Sequence, residues 1–137
     1  MTALSANNEA KRKDSEIQLY PVKGSAHIYK DSLLIDAGTG YAQPGDDGAD
    51  YVFLGVAVEE ADSSDESTDG TLSVRVYKTG SFEFTKADAA QTDIGTTAYI
   101  HDDQTVGSSS TNTVACGKVV EYIDSSTVRV RIDNSVN

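Results

Sequence analysis

The hydrophobic residues of this chain occur in short runs, and in most of these runs they alternate with polar residues. Examples are IQLYPV, AHIYK, SLLIDA, TLSVRVY, TAYIHD and TVRVRID, each bounded by Gly, Ser, Asp or Asn. A period of two with turn residues at the boundaries is typical of strands joined by turns. The pattern therefore predicts an all-β fold, arranged as a single small β-barrel or sandwich-like domain over residues 17–137.

The alternation also assigns faces to the clearest strands. Two sets of aliphatic side chains fall on one face of their strand and are predicted to form core: Leu72, Val74 and Val76, and then Val128, Val130 and Ile132. The run YVFLGVAV is apolar almost throughout. It predicts either a central strand or a strand that is covered on both faces.

The first sixteen residues differ from the rest of the chain. Residues 1–16 are polar, with Leu4 as their only large apolar residue apart from Met1, and they show neither strand nor helix periodicity. Such a segment has too little apolar surface to pack on its own. We expect a flexible or extended N-terminal arm that precedes the β-rich domain.

One sequence motif occurs twice in the chain. The stretch GVAVEEADSS followed by TLSVRVY matches GKVVEYIDSSTVRVRID, with DESTDG inserted in the first copy. Each copy predicts a strand, an acidic-serine turn and a returning strand, which is a β-hairpin. The matching predicts the cross-strand ion pairs Glu59 with Arg75 and Glu121 with Arg131, and two similar hairpins closing around one core.

The charge and the termini exclude several classes of protein. The chain has 11 basic and 22 acidic residues and a net charge of −11, which argues against nucleic-acid binding because phosphates require an excess of Lys and Arg. The N-terminus has no apolar signal region, and no apolar run is long enough to span a membrane. The single cysteine, Cys116, has no disulfide partner within the chain. We expect synthesis in a reducing cytoplasm and a thiol that acts as a small buried apolar group.

The residues offer little for catalysis. His27 and His101 lie in strand-like runs, and no recognised nucleophile or metalloprotease motif is present. We predict no enzymatic activity, no catalytic residues and no cofactor. The acidic loops DSSDESTDG and QPGDDGAD and the run IHDD leave calcium open as an alternative ligand, but their spacing is not that of an EF-hand loop. Solvated turns are the preferred reading, and no metal site is predicted.

The segment from Val52 to Ile132 resembles the phage capsid cement or head decoration proteins. The resemblance is in the order of its motifs: FLGVAVEEA, LSVRVYKTG, SFEFTKADAAQTDIGTTAYIHDDQTV and GKVVEYIDSSTVRVRI. It implies a structural virion protein on the outside of the head, which binds the major capsid protein and stabilises the shell. It also implies self-association, with a homotrimer as the expected form.

The resemblance assigns the shell contact to the arm and to its junction with the domain. The implied capsid-binding residues are Leu4, Lys11, Arg12, Lys13, Ile17, Leu19 and Tyr20. Two other functions stay open from the residues: a calcium-dependent binding or adhesion module, suggested by the acidic loops, and a phage tail or neck β-domain, which would have the same composition.

Overall fold

The structure is a computed structural model that describes residues 2–3, 5–7 and 16–133. Across these residues the chain forms twelve strands and one 3-10 turn, Gln91–Asp93, and no α-helix. The all-β prediction is confirmed. The strands are β1 Ile17–Pro21, β2 His27–Ile28, β3 Leu33–Asp36, β4 Gln43–Pro44, β5 Val52–Ala57, β6 Ala61–Asp62, β7 Ser73–Tyr77, β8 Thr79–Thr85, β9 Thr97–Ile100, β10 Val106–Gly107, β11 Ala115–Asp124 and β12 Thr127–Asp133.

The strands are divided between two five-stranded sheets and one short ribbon. The first sheet has the order β1-β7-β5-β3-β4, the second has the order β10-β9-β11-β12-β8, and β2 pairs with β6. All of these pairings are antiparallel. β1, which begins at Ile17, and β4 are therefore the two edge strands of the first sheet.

Two apolar clusters lie on opposite faces of the first sheet. The inter-sheet core joins both sheets and consists of Leu33, Ile35, Phe53, Val56, Phe84, Ala89, Ala98, Ile100, Val106, Val114, Cys116, Val119, Val128, Val130 and Ile132. The outer core lies on the other face of the first sheet and consists of Val22, Ile28, Leu34, Ala42, Leu54, Ala57, Ala61, Val74 and Val76.

The central strand β5 is covered on both of its faces, as the apolar run YVFLGVAV predicted. Phe53 and Val56 pack in the inter-sheet core, while Leu54 and Ala57 pack in the outer core. Only Val52, at the start of the strand, is exposed. All of the aliphatic residues that alternation assigned to core are buried except Leu72, which packs half-buried against the outer core.

The second copy of the repeated motif, which forms β11 and β12, is a tight hairpin, as predicted. β11 pairs with β12 up to Asp124 and Thr127, and the Asp124 carboxylate accepts a hydrogen bond from the Ser126 amide (2.9 Å). In the first copy, β5 pairs with β7, but the chain between them first leaves the sheet to form β6. The inserted residues therefore lengthen a connection that the second copy makes in one turn.

The two hairpins differ in register by two residues. Val56 lies opposite Tyr77 in the first copy, whereas its counterpart Lys118 lies opposite Arg131, which matches Arg75 rather than Tyr77. The longer connection allows this offset, because it does not fix the register as a tight turn does.

The offset decides which ion pairs form. The predicted pair of Glu59 with Arg75 is confirmed at 2.9 Å. The predicted pair of Glu121 with Arg131 is wrong, because Glu121 lies opposite Arg129 and binds it at 2.7 Å. A bulge next to Val119 contributes to this change of partner.

Both hairpins contribute to the inter-sheet core, through Val56 of β5 and Val119 of β11, but the matched aliphatic residues of their returning strands do not share it. Val74 and Val76 pack in the outer core, whereas their counterparts Val130 and Ile132 pack in the inter-sheet core. The two hairpins lie in different sheets, and the first sheet is covered on both faces. The face of β7 that carries Val74 and Val76 therefore points away from the second hairpin.

Matched glycines allow the strands of each hairpin to approach closely. Gly55 has φ +140°, and a Cβ there would lie 2.2 Å from the Tyr77 carbonyl oxygen. At Gly117, a Cβ would lie 2.1 Å from the Arg131 carbonyl oxygen. No side chain fits at either position unless the backbone of the partner strand moves.

Replacing Gly55 with alanine should lower the free energy of unfolding by about 1 to 3 kcal/mol or more, because the new methyl group adds a backbone collision to an unfavourable φ. Gly38→Ala is the control, since Gly38 has φ +95° but nothing within 4 Å of its Cβ position. The measurement is urea unfolding of both variants. Equal losses at the two positions would show that the close approach has no cost.

A buried ion pair holds the connection between β8 and β9. The Lys86 ammonium lies 3.0 Å from the Asp93 carboxylate, and the two side chains are 8% and 15% exposed. Asp93 also accepts a hydrogen bond from the Ala90 amide (2.9 Å). This hydrogen bond, and then Lys86, hold the pKa of Asp93 below its usual value of 3.8.

Asp93→Asn should destabilise the protein at neutral pH by about 3 kcal/mol, because it leaves the Lys86 charge buried without its partner. Since the pKa of Asp93 is lowered by folding, the wild-type advantage is present above pH 3.8 and is lost as the pH falls through the folded value. Urea midpoints of both proteins from pH 7 to pH 3 measure this. A constant difference across that range would contradict it.

Candidate functional site

The residues assigned to shell contact fall into two groups in the structure. Leu4 and the basic triplet Lys11, Arg12 and Lys13 lie outside the described residues. Ile17, Leu19 and Tyr20 lie on β1, an edge strand of the first sheet. The residues at the junction between the predicted arm and the domain therefore form a strand at one edge of the sheet.

The side chains of β1 point to two different environments. Ile17 and Leu19 are 44% and 56% exposed and share the outward face of the strand. Gln18 and Tyr20 face the other way and are half-buried. Among the predicted residues that the structure describes, Ile17 and Leu19 thus form exposed apolar surface at this edge, whereas Tyr20 does not.

Tyr20 contributes to the stability of the sheet. Its ring packs against the outer core, and its hydroxyl accepts a hydrogen bond from Lys78 Nζ (2.7 Å). The same ammonium donates to the carbonyl oxygen of Leu54 (2.6 Å) and lies 4.9 Å from the centroid of the Tyr20 ring. Lys78 thus links the edge strand to the central strand, a role that the sequence pattern did not indicate.

Two carboxylates of the acidic loop 61–70, those of Asp62 and Asp69, accept hydrogen bonds from backbone amides. Asp62 accepts hydrogen bonds from the hydroxyl (2.5 Å) and the amide (2.9 Å) of Ser64, and these bonds lower its pKa. Asp69 accepts a bond from the Gly24 amide (2.8 Å) and lies 3.7 Å from Lys23. Both groups stabilise the local backbone.

The second acidic loop is tied to the neutral connector 107–112. The Asp47 carboxylate accepts hydrogen bonds from the amides of Thr111 (3.0 Å) and Asn112 (3.1 Å). The Asn112 side-chain amide donates in return to the Asp47 carbonyl oxygen (3.1 Å). Asp47 therefore fixes the connector against the first sheet's loop.

Within the described part of the chain, no group of three or more His, Cys, Asp or Glu side chains is placed to hold a metal ion. In the run IHDD, a His101 ring nitrogen lies 2.7 Å from the Ser109 carbonyl oxygen, and Asp102 accepts a bond from the Gln104 amide (2.9 Å). Burial raises the pKa of Asp103, and the neighbouring Asp102 adds to the effect. These groups have separate local partners.

A shallow cleft of 440 Å³ lies where residues 29–32 meet β8 and the turn before β10. Its lining has one cation, Lys30, and three carboxylates, those of Asp31, Glu83 and Asp103. One wall is Tyr29, which is 55% exposed and stacks on the ring of His27 with centroids 4.0 Å apart. The excess of carboxylates makes the cleft unfavourable for anionic ligands.

The remaining candidate groups are structural. His27 Nε2 lies 2.7 Å from the Glu60 carboxylate, which joins β2 to the segment before β6. Cys116 is 1% exposed, and burial raises its pKa to about 12, so its thiol is the small buried group that the sequence suggested. Among the described residues, no helix is long and apolar enough to cross a membrane.

Comparison with known proteins shows a structural relationship for this fold. No family model and no curated protein matches the chain. Among solved structures, the chain is similar to the head fiber gp8.5 N base in bacteriophage phi29, with a TM-score of 0.50 and 17% sequence identity over 88% of this chain and 98% of that chain. At this identity the likeness shows a shared fold over nearly the whole of both chains.

The melting temperature should not change when millimolar calcium or excess chelator is added, because the acidic loops already use their carboxylates to accept local hydrogen bonds. A ligand that binds the folded state must raise its stability. Differential scanning calorimetry in both conditions is the measurement. A rise of several degrees with calcium would instead favour the calcium-dependent adhesion module.

Proposed function

We propose that this protein is a structural component of a phage head, which binds the outside of the capsid shell and stabilises it as a cement or decoration protein. The observation that carries the proposal is the shared fold with the base of a phage head fiber, over 98% of that chain. The order of strand motifs from Val52 to Ile132, which resembles head decoration proteins, supports the same role independently of that structure.

The physical character of the domain suits a structural role. The inter-sheet core and the outer core make the first sheet rigid on both faces, and the loops that join the strands are fixed by their own carboxylates. A rigid block that buries area across the joints between shell subunits stabilises them without a chemical step. The proposed role therefore requires no active site and no cofactor.

The major capsid protein is the proposed partner, and the N-terminal arm is the proposed contact. Leu4 would provide an apolar anchor, and Lys11, Arg12 and Lys13 would meet acidic groups of the shell. The arm would continue into β1, where Ile17 and Leu19 are exposed. We further propose that the protein acts as a homotrimer, since three linked contacts raise avidity by a factor of roughly 100 or more over one contact.

The test is co-sedimentation of the purified protein with expanded heads of the parent phage that lack it, measured as copies bound per head at saturation. A head decoration protein should saturate in a fixed ratio to the shell subunits. A handful of copies per particle would indicate a tail or neck position instead, and no binding at all would reject the proposal.

Deletion of residues 1–16 should weaken head binding by roughly tenfold or more, because the arm's contacts multiply through the linked copies. Circular dichroism and thermal melting of the truncated protein are the controls, and they should match those of the full chain because both described cores lie after residue 16. Unchanged head binding by a folded truncated protein would remove the arm from the interface. Analytical ultracentrifugation of the full chain tests the trimer.

A further inference from the structure

The outer edge of β1 has backbone groups that no strand of the described domain occupies. β1 ends the first sheet, and its strand neighbour is β7 alone. Each strand has hydrogen-bonding groups on both sides, so an edge strand leaves one row of amide and carbonyl groups available. Which residues of β1 form that row follows from the register.

The register places the available groups at Ile17 and Leu19. The Lys78 amide donates to the Glu16 carbonyl oxygen (2.8 Å), and the Val22 amide donates to the Leu72 carbonyl oxygen (2.9 Å). Directly opposite residues of an antiparallel pair alternate between bonded and non-bonded positions. Even-numbered residues of β1 therefore bond to β7, and the amides and carbonyls of the odd-numbered residues point outward.

The available stretch is short and has a fixed end. At Pro21 there is no amide hydrogen, and its outward carbonyl oxygen already accepts a bond from the Ala42 amide (2.8 Å). On the outer side of Leu19, the carbonyl oxygen accepts only a 3.3 Å bond from the exposed side-chain amide of Gln18. A strand that approached the edge would displace this weak local bond.

The side chains at this edge do not protect it. Natural sheet edges are commonly blocked by charged residues, proline or bulges. Here the two outward residues before Pro21 are Ile17 and Leu19, both apolar and 44% and 56% exposed. By comparison β8, at one edge of the second sheet, carries Glu83 and has no exposed large apolar side chain along its described length. The side chains of β8 therefore protect its edge against pairing with another strand better than those of β1 do.

We propose that the outer edge of β1 accepts an extended strand of the shell protein, which bonds to the backbone of Ile17 and Leu19 and covers their side chains. The inference rests on the proposed function and names how the contact is made. Two outward residues provide a contact far smaller than the roughly 800 Å² per partner of a stable interface. Such an edge would not hold two free copies of this chain together.

The same small contact suits a partner that is presented many times. On a shell, each short strand pairing is joined to others through the proposed oligomer, and the linked contacts act at high effective concentration. In the sequence, the proposed arm joins this same strand at Glu16. An arm that contacts the shell would therefore bring the β1 edge to the same partner surface.

The decisive variant is Leu19→Lys, which places a charge on the open edge. Its matched control is Val52→Lys, because Val52 is also 56% exposed and also lies in the first sheet, on β5. Both variants add one positive charge, and both side chains are outside the two cores. Leu19→Lys should weaken head binding by roughly tenfold or more, whereas Val52→Lys should change it less than twofold.

Hydrogen exchange of the wild-type protein supplies a second measurement that does not depend on a variant. In the free protein, the amides of Ile17 and Leu19 should exchange fast while those of Gln18 and Tyr20 are protected. On heads, the amides of Ile17 and Leu19 should become protected as well, because the added strand accepts their hydrogens.

Each outcome decides between separate ideas. If the wild-type protein binds heads but Leu19→Lys and Val52→Lys bind equally well, or if Ile17 and Leu19 gain no protection, strand addition is overturned while the head role stands. If the wild-type protein does not bind heads, the head role itself fails. If the wild-type protein forms a dimer that Leu19→Lys abolishes, the occupant of the edge is a second copy and not the shell.

Discussion

Burial of the first sheet on both faces is the constraint on which the rest of the structure depends. The strand pair β3 and β5 places Ile35 and Val56 in the inter-sheet core and Leu34 and Leu54 in the outer core. Because neither face of this pair meets water, the second sheet must cover one face, and the short β2–β6 ribbon with its flanking loops must cover the other. Among the described residues of the first sheet's strands, the exposed large apolar side chains are then Val52 at the start of β5 and, on the edge strand β1, Ile17 and Leu19.

Several of the chain's carboxylates stabilise the fold because they accept hydrogen bonds from nearby backbone amides. Asp36 accepts bonds from the amides of Gly38, Thr39 and Gly40, all to Oδ1 (2.8 to 3.0 Å), and Asp124 performs a similar role in the β11–β12 turn. A carboxylate that accepts backbone amides satisfies donors that a turn leaves without partners. Many of the acidic residues thus determine loop conformation, while their charge keeps the surface hydrated.

The sequence predicted the features that depend on local periodicity. Alternation placed Val74, Val130 and Ile132 in the interior correctly, and the continuous apolar run identified β5 as a strand covered on both faces. It could not predict which of the two cores each hairpin faces, since both cores are lined by the same aliphatic residue types. The ion-pair partner of Glu121 also could not be predicted from alternation, because it depends on a bulge and on a strand register that non-local contacts determine.

The sequence predicted where the strand pattern begins but not how its side chains are divided. The change from polar residues to an alternating run at Ile17 coincides with the start of β1, whereas the assignment of shell contact to this region stays a prediction. Only the structure shows how the side chains of β1 differ: Tyr20 is half-buried and bonds to Lys78, while Leu19 is exposed. This difference follows from the register between β1 and β7, which cannot be read from the sequence of β1 alone.

The two-residue offset between the hairpins has a consequence for their ion pairs. Side chains alternate with a period of two, so a slip by two residues keeps every buried position buried, whereas a slip by one would expose the core. The length of the connection therefore affects which charged residues meet across the two strands, Glu59 with Arg75 in one hairpin and Glu121 with Arg129 in the other. The alternation of faces along each strand stays the same, so ion-pair partners and buried faces are set by different parts of the hairpin.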